Sequence, residues 1–162
     1  MSLKKAYLLV ILILIVDQIS KIYIKTNFIY GEDGQINVAS WFKILLIENE
    51  GMAWGTQIPG DYGKLILTLF RLVAVTGIGW WLWDSVKKHS SKYLIVAISL
   101  ILAGAFGNII DSVFYGVIFD HSIGQTATLF SDQPYGTWFH GKVVDMLYFP
   151  IWEGNLPEWL PI

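Results

Sequence analysis

Three stretches of this chain, about 6–24, 64–84 and 93–114, are apolar for long enough to cross a bilayer as helices. That leaves few choices of fold. Hydrophobic residues make up 54% of the chain and charged residues 15%, where ordinary soluble domains carry about 25% charge. The eight Trp, eight Tyr and nine Phe suit aromatic belts at membrane interfaces. The reading is an α-helical integral membrane protein with three transmembrane helices, residues 1–162 forming a single membrane domain. Lys4 and Lys5 before the first run resemble the start of a leader peptide. No small-x-small cleavage site follows, and Asp17 interrupts the far end, so the run is read as a retained span.

Lysines set the orientation. Lys4, Lys5, Lys87, Lys88 and Lys92 fall on one side, which the positive-inside rule makes cytoplasmic. Residues 25–63 and everything beyond the third span then face outward. Within 25–63, Ile36–Val38 and Trp41–Ile47 are rich in β-branched and aromatic residues and predict short strands. A small sheet over residues 36–57, lying on the membrane, is expected. The Gly-, Ser- and Thr-rich stretch 117–140 has no periodic pattern and reads as a lid or mobile insertion. Trp152 to Ile162 supplies aromatic and Pro-flanked anchors but no further span.

The polar residues inside this apolar frame are the informative ones. Gly104, Gly107, Asn108 and Asp111 share one helical face, where small residues let a second helix approach closely. Asp17 and Lys21 are spaced i, i+4 in the better orientation for a helical ion pair. Asp17 and Asp111 end their spans at the same outer level, and Asp145 adds a third carboxylate in an apolar setting on that side. Such groups either join helices or form a site, and both readings stand at this point. Arg71, inside the second span, is read as structural, snorkelling or meeting a carboxylate. His121, His140 and Asp132 lack ligand spacing and are read as surface residues. With no Cys there is no disulfide or thiol nucleophile; no metal or cofactor is expected. The net charge of −2 argues against nucleic acid as a partner.

Four short motifs now fall into order: Asp17-Gln18-x-Ser20-Lys21, Asn49-x-Gly51-x-Ala53-Trp54-Gly55, Gly104-Ala105-x-Gly107-Asn108-x-x-Asp111 and Gly141-Lys142-Val143-Val144-Asp145. Each is weak alone. Together, on this topology, they resemble the successive boxes of bacterial lipoprotein signal peptidase, the type II signal peptidase. The resemblance implies an aspartic endopeptidase of the inner membrane, acting as a monomer among membrane lipids. Its substrates would be diacylglyceryl prolipoproteins, cut just before the lipidated Cys, with the active site on the periplasmic face. The family has four spans and a small periplasmic β-cradle, here about residues 25–63, with residues 117–162 forming an insertion and a periplasmic segment.

By the same resemblance Asp145 is a catalytic Asp, while Asn49 and Gly51 contact substrate backbone. Asn108 and Asp111 support the site, and Asp17 and Lys21 tie the first span to the cradle. The family's second catalytic Asp sits in an Asn-x-Ala-Asp box opening a fourth span, and these 162 residues contain neither. Such a chain would be a fragment or inactive as written. Ser112 stands where most members have Arg, which removes a guanidinium that would grip substrate. Two rivals remain open: a small membrane transporter using Asp17, Arg71 and Asp111 as a relay, and a non-catalytic membrane scaffold. Transporters usually carry repeated halves, and no internal repeat is present here.

Overall fold

The computed structural model describes residues 1–49 and 62–150. Three long helices dominate it: α1 (Leu3–Asn27), α2 (Gly63–Lys87) and α3 (Lys92–Ile118), each long and apolar enough to cross a membrane. They overrun the expected spans by several residues at one or both ends. Ser2 and Ser91 explain two of the starts, each accepting a backbone N–H three residues on and so capping α1 and α3.

α3 lies between the other two and packs against both, whereas α1 and α2 barely touch. Its buried residues Ile95, Ile98, Ser99, Leu102 and Ala103 recur every three or four positions and form the seam. Ala6, Val10, Val75 and Leu82 close over that seam from α1 and α2. By contrast Leu8, Ile11, Leu12, Ile15, Val16 and Ile19 of α1 lie exposed. A continuous exposed apolar surface of this kind fits a lipid-facing helix.

The sheet sits at one end of the bundle. Strands β1 (Gly31–Ala39), β2 (Phe42–Asn49) and β3 (Val143–Tyr148) pair antiparallel in the order β1-β2-β3. The two expected strands are therefore present, paired as a hairpin and longer than their apolar residues suggest, with Ser40 and Trp41 in the turn. β3 is the addition, for it brings Asp145 opposite Ile47 on the strand next to Asn49. The part of the expected sheet beyond Asn49, and the proposed anchor Trp152–Ile162, lie outside the described residues. A second cluster of buried side chains, including Ile24, Phe28, Leu46, Tyr115, Phe119 and Val144, joins the sheet to the helix ends.

The stretch 117–140, expected as a lid or mobile insertion, is tied to the end of α3 by backbone hydrogen bonds. A helix leaves its last carbonyls without partners, and donors from this segment and Gly141 reach carbonyls in and just past the final turns of α3. The N–H groups of Phe130, Tyr135, Gly136, Phe139 and Gly141 donate to the carbonyls of Ile118, Phe119, Gly116, Val113 and Ser112. Ala127 N–H likewise takes the carbonyl of Lys25 at the end of α1. The segment is irregular in sequence because its backbone follows a helix end instead of a ladder. His121, Asp132 and His140 are exposed, as surface residues should be.

Candidate active site

Where α1, α3 and β3 meet, one buried carboxylate collects the polar contacts. Asp111 is fully buried. Its Oδ2 accepts from Lys21 Nζ at 2.7 Å and from Val144 N–H at 3.2 Å, and its Oδ1 accepts from Gln18 Nε2 at 3.0 Å. A carboxylate has about four lone-pair sites, so three donors from two other elements nearly satisfy it. It starts a π-helical turn, Asp111–Tyr115, that breaks the α-helical ladder of α3. Such turns re-aim side chains and are frequent at functional sites.

Lys21 binds the cluster from α1. Besides Asp111, its ammonium donates to Asn108 Oδ1 at 3.0 Å and lies 3.4 Å from Asp17 Oδ2. Gln18 Nε2 also reaches Asp17 Oδ2 at 3.1 Å, and Tyr115 donates its hydroxyl to Gln18 Oε1 at 3.1 Å. Gly107 makes the approach of α1 possible, because a Cβ there would stand 2.3 Å from Asp17 Oδ2. The expected tie from Lys21 to the sheet runs instead to α3. Lys25, one turn further along the same face, makes the sheet contact: it is buried, pairs with Glu48 of β2 and donates to Ser122 at 2.9 Å. Phe119 and Tyr135 lie beside its ammonium, each about 5.1 Å from ring centre to nitrogen.

Asp145 stands over this network without belonging to it. It lines an open cleft of about 470 Å³ together with Asp17, Lys21, Gly104, Asn108 and Leu147. Asn49, on the neighbouring strand, donates its side-chain amide to Asp145 Oδ2. The residue as a whole is exposed, yet its carboxyl end faces the cleft among protein atoms. That burial raises its pKa above the ordinary carboxylate value, opposed by the charges of Lys21 and Arg71 and by the Asn49 hydrogen bond. A carboxyl group so placed is readier than a free one to hold a proton and hand it on. A second cleft, about 430 Å³, lies between Asp120 and Gln133. There Asp120 caps the loop by accepting Thr128 N–H at 2.6 Å, which lowers its pKa; the cleft is remote from the carboxylate cluster and reads as loop architecture.

The structure thus brings Asp17, Lys21, Asn49, Asn108, Asp111 and Asp145 into one region; Gly51 lies outside the described residues. Sequence reasoning names Gln18 only as a member of the first motif, with no role of its own, and does not single out Lys25, Glu48 or Tyr115. The i, i+4, i+8 series Asp17, Lys21, Lys25 on one face of an apolar helix is the signal that points to Lys25.

A family model described as signal peptidase (SPase) II matches residues 9–160. The chain is 49% identical over 155 residues to a lipoprotein signal peptidase of Porphyromonas gingivalis, covering 94% of the chain and 66% of that relative. It is 40% identical over 162 residues to one from Amoebophilus asiaticus, covering 97% of the chain and 64% of that relative. The chain therefore spans just under two thirds of the length of these relatives. Among solved structures, a bacterial membrane enzyme determined by the in meso method at 2.3 Å resolution superposes with a TM-score of 0.63 at 23% identity. That match covers 96% of this chain and 76% of the other, and shows the shared fold. With nearly its whole length inside one family model, and with relatives at up to 49% identity, the chain belongs to the signal peptidase II family.

Proposed function

We propose that this chain carries the substrate cleft and one catalytic carboxylate of an aspartic endopeptidase that removes signal peptides from diacylglyceryl prolipoproteins, cutting before the lipidated Cys. The observation that carries the reading is Asp145: a carboxyl group in an open cleft at the junction of membrane helices and sheet, with a raised pKa and an amide from Asn49 to orient it. Peptide hydrolysis by two carboxylates uses one ionised group to take a proton from water. The other is neutral and donates to the scissile carbonyl. Like charges at close range push the two pKa values apart and create that asymmetry. Asp145 is one partner. The other belongs to the Asn-x-Ala-Asp box that the resemblance implies and these 162 residues do not include.

In this reading Asp111 is a supporting group, since Lys21, Gln18 and Val144 already occupy its oxygens. Holding Val144 N–H, it sets the strand position next to Asp145. The enzyme works as a monomer in the bacterial inner membrane, its cleft on the periplasmic face, because the lysine-rich helix ends lie at the opposite end of the bundle from the sheet. The rival relay of Asp17, Arg71 and Asp111 is disfavoured: Asp17 and Asp111 are closed into hydrogen bonds and an ion pair with Gln18 and Lys21.

The test is cleavage of a diacylglyceryl prolipoprotein by the protein extended with an Asn-x-Ala-Asp box and an apolar helix of about 20 residues. Asp145→Asn should abolish turnover and leave substrate binding nearly intact, because Asn keeps the volume but neither takes nor gives the proton. Full activity of that variant removes the catalytic assignment. The 162 residues alone should give no turnover, since one carboxylate cannot serve as acid and base in the same step. Turnover by them would point to Asp111 as the partner.

A further inference from the structure

Arg71 lies about eight residues into α2 from its sheet end, or roughly 12 Å at 1.5 Å per residue. Ser112 lies six residues from the end of α3 and so comes to a similar depth, roughly 9 Å. The two meet: Arg71 Nη1 donates to Ser112 Oγ at 3.0 Å. Ser112 is buried in the π-helical turn directly after Asp111. Its carbonyl takes Gly141 N–H at 2.9 Å, at the start of the segment leading into β3. Asp111 takes Val144 N–H further along the same segment. One guanidinium on α2 is thereby connected, through two consecutive residues of α3, to the backbone on which Asp145 is mounted.

Resting on the peptidase reading above, we propose that Arg71 is a positioning residue for the reaction at Asp145, anchored on the Ser112 hydroxyl so that its charge and its hold on the π-helical turn set the state and place of the catalytic carboxylate. Among the described residues, the groups around Asp145 come from several elements. Asp17 and Lys21 of α1 and Asn108 of α3 share its cleft, Asn49 of β2 donates to it, and the charge of Arg71 reaches it from α2. Of these, Lys21 and Arg71 are the cations whose charge reaches Asp145 and favours its ionised form. Lys21 is already shared between Asp111, Asn108 and Asp17. Removing Arg71 changes the field at Asp145, and at Asp111 as well, while leaving the Lys21 contacts of the Asp111 cluster in place. An arginine suits the place because its planar fork engages an acceptor while staying charged.

The experiment is a pH titration of the 162-residue protein in detergent micelles by NMR, with 13C-carboxyl-labelled aspartate and the Asp145 signal identified by its loss in Asp145→Asn. Loss of a nearby cation makes ionisation harder, so Arg71→Gln should move the Asp145 midpoint upward. Arg71→Lys keeps the charge and should leave the midpoint close to the parent's. The double variant Arg71→Ser, Ser112→Arg restores a guanidinium at the same interhelical contact from α3 and should bring the midpoint back down. In the box-extended enzyme Arg71→Gln should lower kcat by up to about 100-fold, the scale of a reacting group misplaced by about 1 Å. A midpoint unmoved in Arg71→Gln, or moved equally by Gln and Lys, overturns the proposal. Cleavage by box-extended Asp145→Asn overturns the peptidase reading instead, whatever Arg71 does, so the two failures are distinct. The titration needs no turnover, and thermal unfolding of Arg71→Lys separates loss of fold from loss of charge.

Discussion

Asp111 and Asp145 are both carboxylates at the same end of the bundle, yet their surroundings differ sharply. Asp111 is enclosed and donated to from three directions, so its replacement is a question of stability. Asp111→Asn leaves the buried Lys21 ammonium without its closest anion, and breaking a buried pair costs about 3–5 kcal/mol. The expected outcome is a large drop in thermal stability of the purified protein, measured in the same detergent as the parent. Asp145 behaves the other way. Burial raises its folded-state pKa above 3.8, so the ionised form is the one the fold disfavours. Above the raised value the carboxylate subtracts stability; as pH falls through the window down to 3.8 that loss disappears. Asp145→Asn should therefore unfold at or above the parent temperature near neutral pH, and the two curves should converge on acidification. A variant clearly less stable than the parent near neutral pH would make Asp145 a structural residue.

At the scale of elements, two of the contacts between the sheet and the bundle can be tested separately. The first is the buried pair of Lys25 and Glu48, joined by Ser122 from the loop segment. Lys25→Met strands the Glu48 carboxylate in an apolar setting, and the sheet should loosen while the helices stay intact. Hydrogen exchange would then rise at the amides of β1 and β2, leaving the middle of α3 protected. Equal loss of protection in α3 would mean that the sheet and bundle are one cooperative unit. The second contact is backbone against backbone. A Cβ at Gly141 would stand 2.0 Å from the carbonyl oxygen of Asp111, which is closer than any side chain permits. Gly141→Ala must push the segment away from the π-helical turn and with it the strand that carries Asp145. A loss of about 1–3 kcal/mol is expected from overpacking of this kind. An alanine variant as stable as the parent would show that this approach is not needed.

For the whole molecule, the lysine distribution predicts reporter fusions at residues 60, 89 and 150 reading outside, inside and outside. Any other order overturns the periplasmic placement of the cleft. That three apolar helices occur among the described residues, roughly where they lie, and which end carries the sheet were legible in the chain itself, because membrane spans are local: their signal is about 20 consecutive apolar residues and needs no partner. The middle parts of β1 and β2 were legible for the same reason, as β-branched and aromatic runs, whereas their turn and the polar start of β1 at Gly31 were not. The polar boxes could be named from the sequence, but not the wiring between them. Nothing in the chain places Asn49 against Asp145, 96 residues away, or Arg71 against Ser112, 41 residues away. Nor does it say that the irregular stretch 117–140 follows the carbonyls of a helix end, since backbone donors carry no residue signature. β3 stayed hidden because a six-residue strand after a long irregular segment has no local turn to announce it. What the sequence determined was the set of membrane spans and the chemical groups they carry; tertiary packing decided which of three neighbouring carboxylates is sealed by donors and which is left open to a cleft.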